Sequence, residues 1–206
     1  MSDIKSCLII AGGEFNKVDA ADYDYVIACD RGYDYALRMG ITPDIVIGDL
    51  DSITSEIKAD ANVIRLPAEK DDTDTMYAIK YAIDKGCEMI HVCCAFGGRF
   101  DHSIANLQAA AFIADRKVKA EFSGVGTKLY VLRDESIELN KTDESYISVF
   151  ALSDICEGVS LKGLKYELEF AQLSNRYPLG VSNEWKDNVC CIEVKKGILA
   201  VIICNK

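Results

Sequence analysis

Aspartates recur at short spacing through the first half of this chain. Asp30 closes DYVIACD, Asp49 and Asp51 stand in IVIGDLDSI, Asp71, Asp72 and Asp74 in EKDDTDTMYAI, and Asp101 in FGGRFDHSIANL. Like charges this close repel one another unless something positive lies between them. A cluster of hard carboxylate oxygens suits Mg2+. Each residue alone has a plainer use: Asp72 and Asp74 can cap a helix or oppose its dipole, Asp101 can do the same, and Asp49 and Asp51 can be turn residues. Their recurrence after successive strand-like runs favours a shared ligand, because one capped helix needs one aspartate.

AFGGRFDHSIAN adds groups suited to an anion. Gly97 and Gly98 let backbone approach a phosphate, Arg99 offers a planar fork of donors, and His102 can hydrogen-bond or transfer a proton. AGGEF, residues 11 to 15, is a second glycine turn after an apolar run, where phosphates commonly rest. Neither G-x-x-x-x-G-K-[ST] nor G-x-G-x-x-G occurs, so a Walker-type site and a dinucleotide cofactor are not expected.

These residues need a scaffold that brings them to one edge. SCLIIAGG, DYVIAC, DIVIGD, NVIRLP and MIHVCCAF read as strands, several apolar on both faces. GYDYALRMG, DTMYAIKYAIDKG and SIANLQAAAFIADRK between them carry helical spacing, with Gly40 and Gly86 at expected helix ends. The alternation predicts an α/β domain over residues 1–125 with a mostly parallel, doubly wound sheet, whose ligands bind beyond the strands' carboxyl ends. After about residue 125, TKLYVLR, SIELN, SYISVFAL, GVSLKGLKYEL, GVSNEW, NVCCIEVKKG and ILAVIIC predict an all-β sandwich or barrel over 126–206. KYELEFAQLSN is the one stretch there that could hold a helical turn.

The 206 residues carry 33 acidic and 23 basic side chains, a formal charge of −10, which argues against broad contact with nucleic acid. No apolar run approaches the roughly 18 residues of a membrane span, and the opening MSDIKSCLIIAGGEF does not read as a signal peptide. The nine cysteines are odd in number, lie mostly in apolar runs and form no C-x-x-C pair. They read as free buried thiols of a cytoplasmic protein.

Taken together, four blocks resemble the thiamine pyrophosphokinase family. DRGYDYALRMGITPDIVIGDLDSI (30–53) is similar to its GD-x-DS signature, EKDDTDTMYAI (69–79) to its D-x-T-D block, and FGGRFDHSIANL (96–107) to its GGR-x-D-H block. GVSLKGLKYEL (158–168) with GVSNEW (180–185) resembles its vitamin pocket. The resemblance implies pyrophosphoryl transfer from ATP to the hydroxyethyl oxygen of thiamine, giving thiamine diphosphate and AMP, in a homodimer with its sites at the subunit interface. It implies that Asp49, Asp51, Asp74 and Asp101 hold Mg2+ and the triphosphate. Arg99 and His102 would contact phosphate oxygens, with Asp30, Asp71, Asp72, Thr73, Gly97 and Gly98 nearby. Ser182, Asn183 and Trp185, from the partner subunit, would receive thiamine, whose cationic ring an indole attracts by roughly 0.5–2 kcal/mol.

The chain departs from that pattern at Arg31 and Tyr33, where the family has small residues, and at Asp72, where glutamine is common. Two alternatives are a pyrophosphokinase of another alcohol, such as a hydroxymethyl pterin, and a D-x-D phosphatase. DLDSI lacks the threonine of the second, and the vitamin-pocket block argues against the first.

Overall fold

The computed structural model describes residues 4–142 and 144–206. It divides into two compact units, Met1–Ala109 with Ala120–Val125, and Ala110–Lys119 with Gly126–Lys206.

Up to Val125 the chain alternates strand and helix: β1 (Ser6–Ile10), β2 (Tyr25–Cys29), α1 (Gly32–Met39), β3 (Ile45–Gly48), β4 (Val63–Arg65), α2 (Asp74–Asp84), β5 (Met89–Cys93), α3 (Phe100–Asp115), whose last turns count with the second unit, and β6 (Lys119–Gly124). Strands run in the order β6-β5-β1-β2-β3-β4, and β1, β2, β3, β4 and β5 pair in parallel. All four residues of β3 are buried, and β1, β2 and β5 expose only their first residue in part. Burial on both faces is what continuous apolar runs such as CLII and VIAC are for, at ~1.5–3 kcal/mol per large side chain. Gly40 ends α1 at φ 75°, a left-handed turn that glycine adopts without strain.

From β1 the chain moves outward through β2, β3 and β4, and then returns to place β5 on the other side of β1. The strand order therefore reverses between β1 and β5, which opens a crevice beyond their carboxyl ends. β6 is absent from the sequence reading: KAEFSG is short and charged at alternate positions, yet Ala120 and Phe122 are buried and Ser123 O accepts from Ala95 N.

From Gly126 on, the second unit is all-β: β7 (Thr127–Arg133), β8 (Ser136–Asn140), β9 (Ser145–Ala151), β10 (Ile155–Lys162), β11 (Leu168–Ser174), β12 (Gly180–Asn183), β13 (Val189–Glu193) and β14 (Ile198–Asn205). Antiparallel pairing joins β12-β9-β14-β7 and β11-β10-β13-β8. Leu132, Val149, Leu199 and Val201 of the first set share one core with Val159, Leu161, Leu173 and Ile192 of the second, which makes a sandwich. The expected helical turn in KYELEFAQLSN is not formed. That segment is β11, held by its ladder to β10, and pairing overrides the local helix propensity of Glu and Leu.

Candidate active site

The GDLD segment is built by close backbone contacts. Gly48 has φ 155°, and a Cβ there would stand 1.8 Å from Asp30 Oδ1, so glycine is what admits the Asp30 carboxylate. Asp30 and Leu50 are both left-handed, at φ 44° and 71°, and Leu50 N donates to Asp30 Oδ1 at 3.0 Å. Asp51 N donates to Asp49 Oδ1 at 3.2 Å. Arg31 N donates to Ser52 Oγ at 3.1 Å, which ties the end of β2 to the same turn.

Asp34 of α1 anchors the chain just beyond that turn. Its carboxylate accepts from Thr54 N at 2.9 Å, Thr54 Oγ1 at 2.8 Å and Ser55 N at 2.9 Å. Burial works against its charge, but the bonds from Ser55 and Thr54 outweigh it and hold the carboxyl at about 2. A lowered folded-state value means stability present above the unfolded value of about 4 and lost as pH falls toward 2. Asp34→Ala is therefore expected to cost about 1–3 kcal/mol near neutrality, the worth of several bonds to a charged acceptor. Urea midpoints of variant and parent should converge between pH 4 and pH 2; a constant gap would mean the anion is not the stabilising form.

The carboxylates are strongly coupled. Burial, and next a hydrogen bond shared with Asp74, push Asp30 up to about 7. Asp49 is held below the usual range by the Asp51 backbone N–H, whereas Asp51 is raised by its contact with the Asp49 carboxylate. Asp74 Oδ1 is buried without a hydrogen-bond partner. Lys70 Nζ lies 2.9 Å from that oxygen and 3.7 Å from Asp49 Oδ2, in ion-pair contact rather than a directed bond. Lys70 escaped the sequence reading, although its place four residues before Asp74 in EKDDTD was a visible signal.

A cavity of about 740 Å3 opens at the strand-order reversal. Gly12 and Gly13 line it after β1, Asp30 and Arg31 after β2, Asp51 and Ser52 after β3, and Gly97, Gly98 and Arg99 after β5. Thr73, Asp74, His102 and Asn106 complete it from the helices. Gly97 and Gly98 have φ of 89° and 70°, conformations in which other residues are strained. Asn106, also missed in the sequence, donates to Ala95 O at 2.6 Å and so fixes α3 to the end of β5. A hollow of similar size, about 750 Å3, lies between residues 17–21 and 39–42. Its one glycine, Gly40, ends α1, and Asp19 is the one carboxylate lining it, so the strand-end cavity with its glycine pairs and several aspartates is the candidate site.

The structure separates several residues expected to act together. Asp101 is engaged by Arg99 through two bonds, at 2.5 and 3.2 Å, and both side chains are largely exposed. Asp72 is held by Lys80 at 2.6 Å, Asp71 is exposed, and Thr73 caps α2 by accepting from Met76 N. Among the described residues no three His, Cys, Asp or Glu side chains form a metal-holding group, so the expected four-aspartate set is not assembled here. Of the departures that follow Asp30, Tyr33 is buried core whose hydroxyl accepts from Lys58 N, while Arg31 lines the cavity.

In the second unit Ser182 is exposed at φ 56°. Asn183 is 5% exposed and engaged at both ends of its amide: its carbonyl accepts from Tyr166 N and Glu184 N, and its amide nitrogen donates to Tyr166 O. Trp185 is half-buried, packs against the sandwich core and donates from Nε1 to Ser145 Oγ at 3.1 Å.

A doubly wound α/β unit with a crevice of glycine turns, arginine and carboxylates at its switch point, and a β-sandwich beside it in the chain, defines the class: a two-part protein with a phosphate-suited cavity. The description "Thiamin pyrophosphokinase, catalytic domain" matches residues 19–122, and "Thiamin pyrophosphokinase, vitamin B1 binding domain" matches residues 134–199. The chain belongs to the thiamin pyrophosphokinase family. It is similar to the thiamine pyrophosphokinase of Bacillus subtilis (strain 168), 28% identical over 210 residues, covering 97% of this chain and 98% of that protein. The crystal structure of thiamine pyrophosphokinase from Bacillus subtilis superposes with TM-score 0.87 at 26% identity, over 98% of this chain and 100% of that one. That of the Geobacillus thermodenitrificans thiamin pyrophosphokinase gives 0.84 at 27% identity, over 98% of each.

Proposed function

We propose that the protein transfers a pyrophosphoryl group from ATP to the hydroxyethyl oxygen of thiamine. The bond from that oxygen to the β-phosphorus forms, the bond from the β-phosphorus to the α-bridging oxygen breaks, the hydroxyl proton leaves, and AMP departs. The observation that carries this reading is the cavity at the β1/β5 reversal, lined by both glycine turns and by Asp30, Asp51 and Asp74, in a chain of this family. Neither the pterin nor the phosphatase alternative is favoured by that membership.

Such a transfer depends mainly on positioning and on neutralising phosphate charge. Gly97 and Gly98 let backbone reach the triphosphate, and Arg99, oriented by Asp101, offers its fork to phosphate oxygens beside His102. Asp30 holds the GDLD turn through Leu50 N, so its task is to shape the phosphate seat. The donor chemistry fits Mg2+: the oxygens are hard, and the buried Asp74 Oδ1 makes no directed hydrogen bond but faces a cation, the Lys70 ammonium. Two carboxylates suffice for an ion that takes its remaining positions from phosphate and water. Asp49 and Asp74 are the pair already sharing a cation, with Asp51 beside them. Bound Mg2+ supplies charge neutralisation and a template for the phosphates.

Trp185 and Ser182 are the residues we assign to thiamine. Asn183 supports them by pinning residue 166 to this strand. A homodimer is the proposed assembly; exposed Tyr166, Phe170, Tyr177, Leu179 and Val181 suit burial against a second copy, and sedimentation of the purified protein tests it. Nine free cysteines, seven of them buried, suit a cytoplasmic setting, and no helix among the described residues is long and apolar enough to cross a membrane.

Phosphorus NMR of protein with Mg2+, ATP and thiamine is expected to show AMP and thiamine diphosphate rising in equal amounts. ADP instead would place attack at the γ-phosphorus and overturn the scheme, and inorganic phosphate without thiamine would favour a phosphatase.

A further inference from the structure

Lys70 is unusual among the lysines of this chain. Its side chain is 16% exposed, and three oxygens surround its ammonium: Pro67 O at 3.2 Å, Asp74 Oδ1 at 2.9 Å and Asp49 Oδ2 at 3.7 Å. Asp49 and Asp74 are themselves only 19% and 20% exposed and come from different segments, the turn after β3 and the first residue of α2. Burial opposes the ammonium charge, but Asp74, then Asp49 and Asp30, more than compensate and raise its affinity for the proton. The lysine is thus a fixed positive charge at the point where a carboxylate from the turn after β3 meets one from the start of α2.

A carboxylate pair built to face a cation has a difficulty whenever that cation is absent: the charges repel and the segments carrying them separate. A covalently attached ammonium removes the difficulty, because it is always present and reaches the same oxygens. Two cations cannot both make full use of those oxygens, so the attached one must weaken the hold on an arriving one. We propose that Lys70 is the resident counter-ion of this site. It keeps Asp49 and Asp74 in place in the ligand-free protein and gives them up when a divalent cation binds with nucleotide. This rests on the reading of Asp49 and Asp74 as metal-facing, given above. Lys70 is in that sense a positioning residue, acting through the two aspartates.

The inference separates from simple packing by its sign. Lys70→Met keeps the chain length and removes the charge. In chelator, its melting temperature is expected to fall below that of the parent, and Lys70→Arg is expected to recover part of the loss. Mg2+ is then titrated, with melting temperature as the readout, at a fixed concentration of an ATP analogue carrying a methylene bridge between its α- and β-phosphorus. The Mg2+ midpoint of Lys70→Met should fall about tenfold, as expected for removing one partly shielded opposing charge, and the stability gap should close at saturation. A merely structural lysine would leave the gap open and the midpoint unmoved, which overturns the proposal. A raised midpoint would also overturn it, and would make Lys70 a phosphate ligand instead. If Mg2+ shifts neither the parent nor a variant, the metal-facing reading of Asp49 and Asp74 fails as well.

Discussion

Asp74→Asn is expected to lower kcat by at least a thousandfold, about 4 kcal/mol of transition-state stabilisation, while leaving the fold intact. Asparagine keeps the shape of the side chain. It forfeits the Lys70 ion pair but also ends the like-charge contact with Asp30, so the two effects on stability oppose each other. Thermal melting should therefore move by only a few degrees in either direction. Activity has no such compensation, because an amide is a poor ligand for a hard cation and carries no charge to hold it. Steady-state formation of AMP, measured beside circular dichroism melting, checks both halves. Turnover within tenfold of the parent would remove Asp74 from the reacting phosphates.

Gly32→Ala should have the largest effect on stability, against what local propensity suggests. Gly32 begins α1, and alanine in place of glycine within a helix normally gains up to about 1 kcal/mol. Here the added Cβ would lie 2.0 Å from Ile10 O and 2.8 Å from Ile10 C, the backbone at the buried end of β1. Ile10 is paired with Ala28 on one side and Cys93 on the other, so it cannot yield without breaking the centre of the sheet. The overpacking cost, roughly 3 kcal/mol or more, exceeds the propensity gain. At ~2–4 °C per kcal/mol for a chain of this size, melting should drop by roughly 6–12 °C. Activity should fall too, because Ala11, Gly12 and Gly13 line the cavity immediately beyond Ile10. A melting temperature equal to or above the parent's would show that α1 can slide away from β1 at little cost.

The central strands CLII, VIAC and IVIG are legible in the sequence because burial on both faces demands uninterrupted apolar residues, a constraint written into local composition. The glycine turns are legible for a similar reason: left-handed backbone is open chiefly to glycine, so the GG pair after β5 stands out in the chain itself. β6 and β11 are not legible, since their state is set by pairing with β5 and β10 rather than by their own residues. Charge partnerships are the least legible. The sequence shows seven aspartates as equivalent, but their occupations differ: Asp72 is spent on Lys80 and Asp101 on Arg99. Asp30 is turned inward on the GDLD segment.

By itself, then, the sequence determined the alternation of elements, the chain's family, and the edge of the sheet where its chemistry would gather. Those follow from short-range rules: periodicity, strand-end loops and backbone freedom at glycine. Only the tertiary structure decided that Lys70 stands between Asp49 and Asp74, that Asp34 anchors the loop after the GDLD turn, and that Asn183 is buried and bonded to residue 166. The contacts of Lys70 with Asp49, of Asp34 with Thr54 and of Asn183 with Tyr166 join residues well apart in sequence, and local pattern carries no information about those distances.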